Sequence, residues 1–200
     1  MANPIVAGEI YESITGQLFE LGRQLRQPNG YPFNQFQLKL HLQAAIEGRF
    51  GPGEIYGVKL GGPTTTDQIA EQWREAGLYV NDYITQANFP LTPHAIEDAE
   101  IEIIDSGCSF TEEEGLKFLE AANLDRPTDE HALRFAEQCG RTITGKKPYI
   151  IFLHKPWLDP DRFRRIVCVR RGPDYRRLYL VRPGSGFRGY CVLAGVRRRK

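Results

Sequence analysis

Four short apolar runs separated by arginines fill the last quarter of the chain: PYIIFLH, RFRRIVCVRR, YRRLYLVR and FRGYCVLAGVRRRK, all within residues 148–200. Runs of this length, rich in Val, Ile and Tyr and bounded by Gly, Pro and Asp, have the pattern of strands. The connections Arg171-Gly172-Pro173-Asp174 and Pro183-Gly184-Ser185-Gly186 are hairpin-length and built of turn formers. The expectation is a basic antiparallel sheet whose successive strands are neighbours. Residues 149–154 are apolar on both faces, and in residues 164–170 both alternating sets, Ile166/Cys168 and Val167/Val169, are apolar. Such strands lie inside a layered domain. Residues 175–182 differ: Leu178 and Leu180 share one face, while Tyr175, Arg177, Tyr179 and Val181 share the other.

Charge divides the chain in two. Residues 141–200 hold 17 Lys+Arg against 3 Asp+Glu, whereas residues 1–140 hold 9 against 22, so the overall +1 hides a dipolar sequence. This asymmetry points toward a nucleic-acid or acidic partner, or else toward two halves that neutralise one another internally. The acidic middle, residues 97–137, carries 13 carboxylates and 3 basic residues. Many of those acids stand at helix starts, where the dipole favours negative charge: Glu112 and Glu113 after Thr111, Asp129 and Glu130 after Thr128. They read as solvated caps, and no metal or cofactor is expected.

Upstream, Ile10, Ile14, Leu18, Leu21 and Leu25 recur at helical spacing, and Pro28-Asn29-Gly30 ends that helix. Asn34 suits the cap of a second helix over residues 35–47 with Gly48 at its end. Residues 1–50 therefore read as a helical hairpin module. Residues 51–64 carry five glycines and two prolines and read as a linker with one short strand over 54–60. They lack the Gly-Lys-Ser/Thr ending of a phosphate-binding loop. Residues 65–200 form the main domain, beginning with a helix that Thr65 and Gln68 cap. The fold class expected is α+β: the N-terminal hairpin plus an antiparallel sheet of about five strands packed by two or three helices.

Several function classes fall away. No apolar run approaches the roughly 20 residues of a membrane span, and the N-terminal residues lack a signal-peptide pattern, so a cytoplasmic location is expected. Cys108, Cys139, Cys168 and Cys191 are far apart and outside any zinc spacing, and read as thiols. His154, beside Lys155-Pro156-Trp157, has no serine or cysteine near it in a recognisable nucleophile motif. What remains is binding. Arginines beside tyrosines on an exposed sheet face combine phosphate contacts with ring surfaces for bases. The candidates are Arg165, Tyr175, Arg177, Tyr179, Arg188 and Tyr190, with the tail Arg197, Arg198, Arg199 and Lys200 adding salt-sensitive attraction. The expected partner is RNA or single-stranded DNA. The alternative is an adaptor whose helical hairpin binds a protein partner without any enzymatic activity.

Two resemblances bear on this reading. The segment FELGRQLRQPNGYPFNQFQLKLHLQAAIEGRF resembles one that recurs in uncharacterised bacterial proteins, which implies a distinct N-terminal module and supplies no catalytic residue. The order of a strand, two helices and then basic strands is similar in layout to the RelE-type ribonuclease toxins. That likeness implies Lys146, Lys147, Arg165, Arg177 and Tyr179 as the residues acting at an RNA phosphate.

Overall fold

Helices begin where the sequence supplies caps. In the computed structural model, which describes residues 9–24, 26, 42, 54–143, 147–172 and 175–198, Thr65, Thr111 and Thr128 each accept a hydrogen bond from the backbone N–H three residues on. Gln68, Glu114 and His131 reach back to the cap N–H. Each threonine cap is worth about 1 kcal/mol. They open α2 (Thr66–Glu75), α3 (Glu112–Ala121) and α4 (Asp129–Phe135). α1 spans Glu9–Gln24, as its apolar spacing predicts. Of the expected second helix, residues 35–47, all but Leu42 lie outside the described residues.

α4 runs on into a π-turn, Ala136–Gly140, against which the indole of Trp73 from α2 packs. The indole N–H donates to the Ala136 carbonyl at 3.3 Å, and a Cβ at Gly140 would stand 2.8 Å from the ring. Gly140 thus ends the helix and makes room for the largest buried side chain.

The sheet is larger than the sequence suggests and is mixed. Its strands are β1 (Glu54–Leu60), β2 (Tyr79–Val80), β3 (Glu97–Ile104), β4 (Leu124–Asp125), β5 (Tyr149–Phe152), β6 (Trp157–Leu158), β7 (Arg164–Arg171), β8 (Arg176–Val181) and β9 (Cys191–Arg197). The order is β1-β3-β9-β5-β7-β8-β2, with β4 against β9 and β6 against β7. β9 with β5 and β2 with β8 are parallel; the other pairings are antiparallel. The expected sheet of about five antiparallel strands is therefore corrected. So is the expected β8–β9 hairpin: 183–185 form a single 3-10 turn, and β9 crosses to lie between β3 and β5. The physical reason is burial. Residues 191–195 are buried on both faces, so β9 needs a neighbour on each side and layers above and below. Residues 51–64, read as a linker, supply β1 as an edge strand. The side-chain amide of Gln138 accepts from Lys59 N–H and donates to Lys59 C=O, both at 2.8 Å, so one position of that edge is covered.

Alternation along the strands divides the core. On one face, Ile101, Ile150, Phe152, Val167, Val169, Leu178 and Val192 meet Ile69, Trp73, Leu133 and Phe135 of α2 and α4. On the other, Ile151, Ile166, Cys168 and Leu193 meet Phe118 and Leu119 of α3 with Phe110 and Phe187. Each fully buried side chain of this kind stabilises by about 1.5–3 kcal/mol. The four cysteines are free thiols, and burial raises Cys168 and Cys191 above the usual thiol range.

His154 is a structural residue. It is 1% exposed, accepts from Val167 N–H on Nε2 at 2.8 Å, and so carries its proton on Nδ1, which donates to the Lys155 carbonyl at 2.8 Å. Both nitrogens serve the backbone, which leaves neither for catalysis. Burial pushes this imidazole below the ordinary histidine range, and the unfolded chain therefore takes up its proton first as pH falls. Stability from His154 is complete above about pH 6.5 and declines below it, by up to about 1.4 kcal/mol per pH unit. Urea unfolding at pH 7.5 and 5.5 should show the decline, with His154→Gln flattening it; an unchanged slope in that variant would refute the assignment. His131, also lowered by burial, adds in the same direction, while His94, raised by its bond to Glu130, opposes it.

Candidate functional site

α3 covers only part of its side of the sheet. Where it stops, the cross-strand row of side chains changes from apolar to aromatic and basic. The strand registers set Cys191 beside Tyr149, Tyr149 beside Arg170, Arg170 beside Arg177 and Arg177 beside Tyr79. At about 4.8 Å per strand, the four residues from Tyr149 to Tyr79 span roughly 14 Å of one face. Tyr179 stands beside Cys168 in the next row, with its ring 6.1 Å from that of Tyr79.

Tyr175 lies across this row because Gly172, against which its ring packs, has no side chain. Gly172 N–H donates to the Tyr175 carbonyl at 2.9 Å, and a Cβ on Gly172 would lie 2.6 Å from the Tyr175 ring. Arg176 fastens the same turn with hydrogen bonds to the carbonyls of Gly172 and Tyr175. The Tyr175 ring then sits 5.0 Å from the Arg170 guanidinium and 5.4 Å from that of Arg177. Arg170 is also 5.0 Å from Tyr149, and Arg177 is 5.6 Å from Tyr79. These are cation–π contacts, each worth about 0.5–1 kcal/mol at an exposed site.

Beside the row opens a groove of about 770 Å³, lined by Tyr149, Tyr179, Tyr190, Phe187, Arg182 and Arg188 among others. Its far wall is held by the paired backbones of Phe110 and Phe187, which exchange hydrogen bonds of 2.8 and 2.7 Å. Tyr190 stacks on Tyr149 with ring centres 5.5 Å apart and stays 47% exposed. Burial holds the Tyr149 hydroxyl above the usual phenol range, so it stays a neutral donor.

Whether the acidic half neutralises the basic half has a residue-by-residue answer. Arg164 pairs with Glu112 at 2.8 Å, Arg165 with Asp159 at 2.7 Å, Arg171 with Glu54 at 3.4 Å and Lys147 with Asp105 at 2.6 Å. Arg197 reaches Glu100 and Glu102 at 3.4 and 3.5 Å, and Arg198 reaches Asp125 at 2.9 Å. Arg170, Arg177, Arg182 and Arg188 pair with no carboxylate among the described residues. Of these four cations, Arg170 and Arg177 lie among the tyrosines of this face and Arg182 and Arg188 line its groove.

Of the sequence candidates, the structure brings Tyr175, Arg177, Tyr179, Arg188 and Tyr190 together. It does not bring Arg165 to their face. Arg165 belongs to the alternate set of β7, and although it borders the groove its guanidinium is held by Asp159. Arg197 and Arg198 lie at the other end of β9, roughly 20 Å from Tyr190 by strand rise. Arg199 and Lys200 lie outside the described residues. The ribonuclease set is dispersed likewise: Lys147 is tied to Asp105 and the Gly189 carbonyl, Arg165 is turned away from Arg177 and Tyr179, and Lys146 lies outside the described residues. Sequence reasoning missed Arg170, Tyr149, Tyr79 and Arg182. Closing the β7–β8 hairpin at Gly172 and Tyr175 would have placed Arg170 opposite Arg177, whereas the parallel pairing that delivers Tyr79 has no local signal.

No family model, curated protein or solved structure matches this chain.

Proposed function

We propose that the chain binds single-stranded nucleic acid, RNA or DNA, on the tyrosine–arginine face of β8 and in the adjoining groove. The observation that carries the reading is the segregation of charge. Arg164, Arg165, Arg171 and Arg197 of the sheet are matched by carboxylates, while Arg170 and Arg177, interleaved with Tyr149, Tyr175 and Tyr79, are not. Exposed rings offer stacking surfaces to bases of any sequence, and unpaired guanidiniums offer bidentate contacts to phosphate oxygens. The groove, at about 770 Å³, falls within the range of about 300–1,000 Å³ that holds small ligands. Among the described residues no cluster of His, Cys, Asp and Glu is placed to hold a metal ion, and the activity proposed is binding.

The test is fluorescence anisotropy of labelled single-stranded RNA and DNA over a salt series. Affinity should fall as salt rises, with a slope of about −0.7 for each phosphate neutralised. Tyr179→Ala should weaken binding by about 5- to 100-fold, the loss of one stacked base. Arg198→Ala, which removes a residue paired with Asp125, should change it little. Absence of binding at the lowest salt would dispose of the proposal.

A further inference from the structure

We infer that the Arg170–Arg177 pair is a seat for one phosphoryl group, gripped by both guanidiniums under the ring of Tyr175. The choice of phosphate over other anions rests on the nucleic-acid reading above; the seat itself rests on geometry. Arg170 and Arg177 are directly opposite one another in the β7–β8 register. Like charges facing across two strands oppose pairing of those strands. Neither has a carboxylate partner among the described residues, and the nearest residues of the row on either side are Tyr149 and Tyr79, which are neutral. Nothing described in the fold offsets the doubled charge except ring faces.

Those rings also fix the geometry. Arg170 is held between Tyr149 and Tyr175, each 5.0 Å from its guanidinium carbon, and its Nε is buried without an acceptor. Arg177 is held between Tyr175 and Tyr79 at 5.4 and 5.6 Å. Two planar forks restrained by a shared ring have lost much of their rotamer freedom before any ligand arrives, which favours bidentate recognition of a tetrahedral oxyanion. The contrast with Arg171, the next residue along, is informative. Its side chain is 3% exposed and is bound to Glu54 and to the Lys147 carbonyl, as a structural arginine is.

Inorganic phosphate titrated into the full chain, with the arginine Nε–Hε resonances observed by NMR, tests the seat. Arg170 and Arg177 should shift together and saturate, and Arg177→Gln should weaken that saturation at least about tenfold by removing half the clamp. Arg197, paired with Glu100, should stay still. Arg177 is exposed, so this variant remains informative even where Arg170→Gln fails to fold. No saturable shift, an equal response at Arg197, or saturation by acetate at the same concentration would overturn the seat; the acetate result would mark a site for acidic peptide. Phosphate saturation without RNA or DNA binding would leave the seat and remove the nucleic-acid reading. RNA affinity unchanged in Arg177→Gln would do the reverse.

Discussion

Gly61→Ala should lower the unfolding free energy by at least about 3 kcal/mol, whereas Gly62→Ala, one residue on, should cost only about 1–2 kcal/mol. Both glycines have positive φ, +77° and +82°, so both substitutions carry the strain of an L residue in the left-handed region. Their surroundings differ. A Cβ at Gly61 would lie 2.6 Å from the Ala95 carbonyl oxygen and 2.8 Å from that of His94, and backbone cannot yield as a side chain does. At Gly62 the nearest atom is Ile96 Cγ1, at 3.9 Å. Gly61 N–H also donates to Glu130 at 2.8 Å, which ties the end of β1 to the start of α4, so displacing it loosens two elements at once. Urea denaturation of the two variants measures the difference; equal costs would show that the conformation, and not the close approach, sets the energy.

Features set by a few neighbouring residues are the ones legible in the sequence. Thr65 with Gln68 and Thr111 with Glu114 are capping boxes confined to four residues, so the letters specify the geometry. The alternation of Arg177, Leu178, Tyr179 and Leu180 is likewise local and matches the observed exposure of β8. Arg165 failed for the opposite reason. β7 is apolar on both faces, so its own pattern cannot say which alternate set lies beside Arg177; only the pairing register does, and it selects Arg170. The basic tail failed because a charge count carries no position. The placement of β9 beside β3 delivers Arg197 to Glu100 and Glu102, a contact across 97 residues of chain that no window of sequence contains. The size of the sheet was hidden similarly, since β2, β4 and β6 are two-residue strands whose existence depends on the neighbour they pair with.

Arg177→Glu and Arg171→Glu should separate binding from stability. At position 177 the change converts a like-charge pair across β7 and β8 into an opposite-charge pair with Arg170, a gain of roughly 1 kcal/mol in all. It also forfeits two cation–π contacts near the outer limit of about 6 Å, each worth about 0.5 kcal/mol. The terms nearly cancel, so stability should stay within about 0.5 kcal/mol of the parent chain. Nucleic-acid affinity should nevertheless fall by about 100-fold, because a phosphate contact is lost and a carboxylate now repels the backbone. At position 171 the same substitution should do the converse: a buried glutamate would face Glu54 in place of an ion pair, costing about 3–5 kcal/mol. Thermal unfolding and anisotropy on both proteins decide the matter. If Arg177→Glu destabilises as Arg171→Glu does, the arginines of this face hold the sheet together and await no ligand. If binding collapses while the fold is unmoved, the tolerated like-charge pair is explained by the anion it receives.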